Sequence, residues 1–146
     1  MHILFICTGN TCRSPMAEGY FRYLLSQSNR KDITVASAGT FAGEGEPPSL
    51  HSVKAMKNIG IDIANYRSSS LTLDMLGAAD LIIAMTMSHK MYVGQQSIDA
   101  LKKTKLLGDY ADSGNDLSDP FGSGSDVYSD CLNSMKPSLE KLFKEI

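Results

Sequence analysis

The sequence predicts an α/β domain built on a parallel sheet. Three observations carry this expectation. Short apolar runs alternate along the chain with stretches whose apolar residues recur at helical spacing, the pattern of strand–helix–strand units. The run Leu81–Met85 is apolar throughout, as a strand covered on both faces should be. The 146 residues suit a single domain, 1–146, large enough for one substantial core, and no repeat or change of composition divides them.

Each element has its own warrant. Ile3–Ile6 is a short apolar run and reads as a buried strand. Gly9 and Asn10 turn the backbone sharply after it. Ser14-Pro15 reads as a helix start, a capping residue followed by Pro at the first helical position. Met16–Leu25 is helical, with Met16, Tyr20, Tyr23 and Leu24 near one face. Ile33–Ala36 is a second strand, and Phe41–Pro48, with its glycines, glutamates and prolines, is a loop. Ser49–Asn58 is helical on the spacing of Leu50, Val53 and Met56, and Gly60 ends it. Leu73–Ala78 is a short helix, Leu81–Met85 the third strand, Ser88–Gln96 a helix and Lys105–Leu107 a short fourth strand. Asp109–Asp126 is polar and rich in Gly, Ser and Asp, a loop of the length usually kept for function. Val127–Ile146 closes the chain as a helix, with Leu132, Met135, Leu139, Leu142 and Phe143 inward and a bend expected at Pro137.

Composition removes several classes of function. The chain is 42% hydrophobic and 21% charged with a formal net charge of −2, so no basic surface suggests nucleic acid. No apolar run approaches a membrane span, and no charged leader with an apolar core is visible. Three cysteines do not make a paired secreted framework, and the expected setting is a reducing cytoplasm with thiols kept for chemistry.

That chemistry concentrates in Cys7-Thr8-Gly9-Asn10-Thr11-Cys12-Arg13-Ser14-Pro15. In a parallel α/β sheet, ligands sit beyond the carboxyl ends of the strands, and Cys7 is placed there. A tight loop that opens a helix aims backbone N–H groups and a positive dipole end at one point, an anion site. Arg13 adds a planar fork that matches phosphate oxygens and can stabilise transition-state charge. A thiol in this field is expected to be largely thiolate at neutral pH. A nucleophile and a phosphate cradle in one loop point to phosphoryl transfer through a phosphocysteine. Ser14 has two competing roles, helix cap or hydroxyl donor to the Cys7 sulfur. Cys12 is either a packed side chain or a partner that captures oxidised Cys7 as a disulfide. Cys131 reads as structural, and His89, near a helix start, as a surface residue. His2, His51 and His89 share no setting that suggests a metal.

The spacing C-x5-R-S at the N-terminus resembles the phosphate-binding loop of the low-molecular-weight protein tyrosine phosphatase family. The resemblance extends through Ser37-Ala38-Gly39-Thr40, Gly60-Ile61-Asp62, Ala79–Thr86 and Asp119-Pro120-Phe121. It implies a four-stranded parallel sheet with helices on both faces, no metal and no cofactor, and a phosphorylated protein as substrate. It also assigns roles. Cys7 is the nucleophile, Ser14 the hydroxyl that stabilises its thiolate, and Asn10 and Ser37 hold the loop's shape. Asp119 is the general acid and base; alone among Asp109, Asp112, Asp116, Asp119 and Asp126 it precedes a Pro and an aromatic. Arg67 matches a position that supports the loop, and Tyr66 stands where many members carry His. Thr11 and Phe121 are expected in the substrate pocket. Tyrosine-specific members commonly carry Ile at Thr11 and a second aromatic at Gly122; Thr11 and Phe121-Gly122 instead resemble the bacterial arginine phosphatases of the family. Phosphotyrosine and phosphoarginine both stay open on these residues. A thiol-dependent arsenate reductase is the alternative, but its relay of further cysteines is missing between Cys12 and Cys131. A phosphocysteine carrier and a silent phosphate-binding module are weaker rivals, since Arg13 and Asp119 together point to hydrolysis.

Overall fold

A computed structural model of the chain describes residues 1–111 and 116–146. Strands β1 (His2–Cys7), β2 (Thr34–Gly39), β3 (Leu81–Ala84) and β4 (Thr104–Leu106) form one parallel sheet in the order β2-β1-β3-β4. Around it lie α1 (Arg13–Ser28), α2 (Leu50–Lys57), α3 (Leu73–Ala78), α4 (Met87–Gln96), α5 (Ile98–Lys102) and α6 (Ser125–Glu145), with a 3₁₀ turn at Leu107–Tyr110.

The two-residue period of β1 divides its side chains between two cores. Ile3, Phe5 and Cys7 pack with Met16, Phe21, Met56, Leu132 and Leu139 from α1, α2 and α6, while Leu4 and Ile6 pack with Leu76 and Val93 from α3 and α4. Both faces of the sheet are therefore covered, which accounts for the unbroken apolar runs. The register pairs Cys7 with Gly39 and Ile6 with Ala84, so the carboxyl ends of β1, β2 and β3 finish level. The chain leaves β1 toward β2 on one side and reaches β3 on the other. The end of β1 is thus a topological switch point, where loops from both sides part and leave a crevice.

Several expectations need correction. Helix α1 starts at Arg13, with Cys12 at its N-cap and no side-chain cap, so Ser14 is not the capping residue. The buried stripe of α1 is Met16, Ala17, Tyr20, Phe21 and Leu25; Tyr23, expected inward, is exposed because it lies roughly a third of a turn from the centre of that stripe. Helix α5 and the 3₁₀ turn were not legible as separate elements, being too short to show a period. The polar loop is correspondingly shorter, since α6 begins at Ser125. Helix α6 runs through Pro137 to Glu145.

Candidate active site

The loop after β1 is shaped from outside by its neighbours. The Cys7 and Thr8 carbonyls accept from Thr40 N–H (2.9 Å) and Phe41 N–H (3.0 Å) of the segment after β2. The Thr11 carbonyl accepts from Ser49 N–H (2.9 Å) and the Ser52 hydroxyl (3.2 Å) at the start of α2. A peptide is planar and trans, so each carbonyl turned outward turns the next residue's N–H the other way. Anchoring these three carbonyls therefore aims the N–H groups of Thr8, Gly9 and Cys12 into the concavity. Gly39 is required beside it: a Cβ there would collide with the Thr8 carbonyl oxygen.

Asn10 is the internal strut. It is fully buried in the left-handed region at φ 56°, a conformation Asn tolerates better than most residues. Its side-chain oxygen accepts from the Tyr66 hydroxyl (2.7 Å) and Ser69 N–H (2.8 Å). Its amide nitrogen donates to Ser14 Oγ (2.7 Å) and Ser37 Oγ (3.0 Å). An amide nitrogen only donates, so the proton of Ser14 is left for Cys7 Sγ, 2.8 Å away. Ser37 Oγ also bonds the Tyr66 hydroxyl. Burial pushes Tyr66 up to about 12, so this hydroxyl keeps its proton as a donor. Of the two roles open to Ser14, the geometry holds the one directed at sulfur.

Burial also pushes the Cys7 thiol up, against the Ser14 hydroxyl, the backbone N–H groups of Ser14 and Asn10, and Arg13, which all favour the thiolate. The donors that favour the thiolate surround the sulfur, and desolvation by burial works against them.

Arg13 is buried, donating from Nη1 to the Leu117 carbonyl (2.9 Å) and from Nη2 to Thr8 Oγ1 (3.4 Å). Nη2 also lies 3.5 Å from Asp119 Oδ2. Its Nε, buried, has no hydrogen-bond partner among the described residues. A buried guanidinium N–H without an acceptor is costly unless a ligand supplies one.

The remaining loop carboxylates are placed apart from this centre. Asp116 Oδ1 accepts from Met87 N–H (3.0 Å) at the start of α4, and Asp109 Oδ2 from Leu106 N–H (2.9 Å). Asp126 is exposed in the first turn of α6, and Asp112 lies outside the described residues. Asp119, half exposed, accepts from Phe121 N–H (3.1 Å) and faces Arg13.

Cys7, Thr8, Gly9, Thr11, Cys12, Arg13, Phe41, Asp119 and Phe121 line one cavity of about 390 Å³. Its rim is formed by Phe41 and Phe121, 88% and 76% exposed. Phe41 escaped the reading of the sequence, because its loop carries no signal of where it folds back. Two other expectations fail. His89 is buried, its Nε2 2.8 Å from Thr8 Oγ1. Arg67 is exposed and turns back onto the Ala64 and Tyr66 carbonyls (3.0 and 2.6 Å), so Tyr66, not Arg67, touches the loop network. Cys12 is buried, its sulfur 3.2 Å from the Tyr128 hydroxyl. Cys131 is buried as expected and pushed up to about 12 by burial.

A strand-end cysteine in a loop whose N–H groups converge, beside a buried arginine and a carboxylate, defines a cysteine-dependent phosphatase site. The family described as low molecular weight phosphotyrosine protein phosphatase matches residues 2–146, and the chain belongs to it. A curated protein-arginine-phosphatase of Bacillus subtilis (strain 168) is 37% identical, the alignment covering 100% of this chain and 97% of the relative. The crystal structure of a low molecular weight protein tyrosine phosphatase from T. tengcongensis superposes with a TM-score of 0.94 at 38% identity, covering 100% of this chain and 99% of the other. A structure of the YwlE arginine phosphatase, a mutant carrying a phosphorylated active-site serine, superposes with a TM-score of 0.93 at 36% identity, covering 99% of this chain and 95% of that one. The chain is a hydrolase of this family, and the arsenate-reductase alternative is not favoured.

Proposed function

We propose that the protein removes phosphate from phosphoarginine side chains of other proteins, through a phosphocysteine on Cys7. The observation that carries the substrate assignment is the hydroxyl of Thr11 in a cavity whose rim is two phenylalanines, Phe41 and Phe121. A guanidinium stacks on aromatic faces and needs polar neighbours for its edge N–H groups. Thr11 offers an oxygen there, where an aliphatic wall would leave those donors unpaired. The similarity to arginine phosphatases supports the same reading. The two aromatic rims suit a phosphotyrosine ring as well, which makes that substrate the second reading.

In this mechanism the phosphoryl oxygens take the loop N–H groups and Arg13 Nε, whose lack of a protein partner supports the assignment. Cys7 sulfur, as thiolate, attacks phosphorus in line with the leaving nitrogen. Asp119, protonated, gives its proton to that nitrogen as the P–N bond breaks and the S–P bond forms. The Asp119 carboxylate then takes a proton from water as the water oxygen attacks phosphorus. Inorganic phosphate leaves, and sulfur departs as a thiolate held by the Ser14 hydroxyl. Thr8, Gly9, Asn10, Thr11 and Cys12 shape the oxyanion cradle, and Cys12, which lines the same cavity as Cys7, captures a sulfenic acid at Cys7 as a disulfide with loss of water. Three free thiols support a reducing, cytoplasmic setting, and no described helix is long and apolar enough to cross a membrane.

The test is a side-by-side measurement of kcat/KM on phosphoarginine and phosphotyrosine peptides, for wild type and Thr11→Ile. Phosphoarginine is expected to be the better wild-type substrate, with Thr11→Ile moving the ratio toward phosphotyrosine by about 5- to 100-fold. If wild type prefers phosphotyrosine, or if Thr11→Ile lowers both rates equally, the phosphoarginine assignment fails.

A further inference from the structure

His89 is a buried titratable side chain that the mechanism above does not use. It sits in the first turn of α4. Its Nε2 lies 2.8 Å from Thr8 Oγ1, and Thr8 Oγ1 in turn accepts from Arg13 Nη2 at 3.4 Å. Its Nδ1 lies 3.1 Å from Thr86 Oγ1, which also caps α4 by accepting His89 N–H at 3.3 Å. Thr8 is exposed, and its hydroxyl would turn freely if nothing held it. We propose that His89 is a positioning residue for phosphoryl binding: it fixes the Thr8 hydroxyl, and through it the Arg13 fork, from a helix outside the catalytic loop.

The chemistry of the chain gives it a direction. A guanidinium only donates, so Thr8 Oγ1 must accept from Arg13. The group facing the far side of that hydroxyl is best an acceptor, because a lone pair turned toward the cation is favoured over an N–H. Thr8 O–H then donates to His89 Nε2, and Nδ1–H donates to Thr86. The arrangement requires a neutral ring. Burial and the Arg13 charge favour the neutral ring, while Asp119 and Asp116 work the other way. The Arg13 fork has one strong tether, Nη1 to the Leu117 carbonyl, and that carbonyl belongs to the polar loop. Thr8 is its second tether, on the catalytic loop itself. Fixing both nitrogens holds Arg13, whose Nε has no partner among the described residues, at the cavity that Arg13 and Thr8 share with Cys7.

The inference rests on the assignment of Arg13 to the phosphoryl group. The experiment therefore measures kcat and KM on p-nitrophenyl phosphate, and the inhibition constant of inorganic phosphate, for wild type, Arg13→Lys, Thr8→Val, His89→Asn, His89→Gln and Thr8→Val/His89→Asn. His89→Asn, which cannot reach Thr8, is expected to lower kcat/KM about 3- to 10-fold and to weaken phosphate inhibition comparably, the worth of one orienting hydrogen bond. His89→Gln, whose amide reaches the Nε2 position, recovers most of that loss. Thr8→Val reproduces the loss, and adding His89→Asn to it costs nothing further. Thr8 is exposed, so this arm decides the matter even where a His89 variant folds poorly. Wild-type kinetics in Thr8→Val, additive losses in the double variant, or equal losses in His89→Asn and His89→Gln would each overturn the relay. Wild-type phosphate inhibition in Arg13→Lys would instead overturn the reading of Arg13, and the relay with it.

Discussion

Replacing Asn10 by Ala removes the strut of the catalytic loop, and the structure sets the scale of the loss. Four hydrogen bonds disappear: two donated to Ser14 and Ser37 and two accepted from Tyr66 and Ser69. At about 1 kcal/mol net for each, they contribute about 4 kcal/mol. Alanine in the left-handed conformation adds about 1 kcal/mol. The sum of about 5 kcal/mol is a large part of the roughly 5–15 kcal/mol that holds a domain of this size together. Urea unfolding followed by circular dichroism measures it, as a midpoint lowered by about 2.5 M at a slope of about 2 kcal/mol/M. Asn10→Asp separates stability from chemistry. It keeps both accepted bonds but turns the Ser14 and Ser37 hydroxyls toward a carboxylate. Cys7 then loses its hydroxyl donor and gains a negative neighbour, so its thiolate is disfavoured. The pH at which iodoacetamide half-maximally alkylates Cys7 should rise in Asn10→Asp. A stability loss below about 1.5 kcal/mol in Asn10→Ala, which is little more than one such bond, would refute the reasoning; so would an unmoved alkylation profile in Asn10→Asp.

The other predictions concern the acid, the second cysteine and pH. Asp119→Asn should slow turnover of phosphoarginine by about 10²–10⁴-fold while sparing aryl phosphates with very acidic leaving groups; a larger loss in Asp116→Asn would move the acid to the residue seen capping α4. Cys12→Ser should leave basal turnover mostly intact but make peroxide inactivation harder to reverse with thiol, and equal recovery in both proteins would reduce Cys12 to packing against Tyr128. His89 is held down to about 4 by burial and Arg13, below its ordinary value near 6.5. The unfolded chain therefore binds the proton more readily, and stability that is complete above about pH 6.5 is lost as pH falls toward 4, on the order of 3 kcal/mol. Urea midpoints across that range should fall less steeply in His89→Gln than in wild type, and parallel slopes would count against the buried neutral ring.

The order of the four strands and of the longer helices, the position of Cys7 at a strand end and the presence of Arg13 in the same loop were all legible in the sequence. These are local properties: apolar period, turn residues and a spacing within one loop. Asp119 could be singled out as the candidate acid for a similar reason, since Pro120 and Phe121 set it apart from its neighbours, and the structure brings its carboxylate to 3.5 Å from Arg13. Tertiary structure decided the rest, because the deciding contacts join residues far apart in the chain. Ser14 looks like a helix cap until Asn10, itself held by Tyr66 and Ser69, claims its lone pair and directs its proton to sulfur. Phe41 becomes a rim of the cavity only because the segment after β2 bonds the Thr8 carbonyl. His89 reads as an ordinary helix-start residue, and only the parallel pairing of β3 beside β1 brings it under Thr8. Even the state of Cys7 divides this way. Its donors are written in the loop, but the burial that opposes them comes from the rest of the fold. Short-range pattern thus singled out the candidate reacting groups, and long-range packing determined how each is held, because orientation and desolvation depend on neighbours that no local spacing encodes.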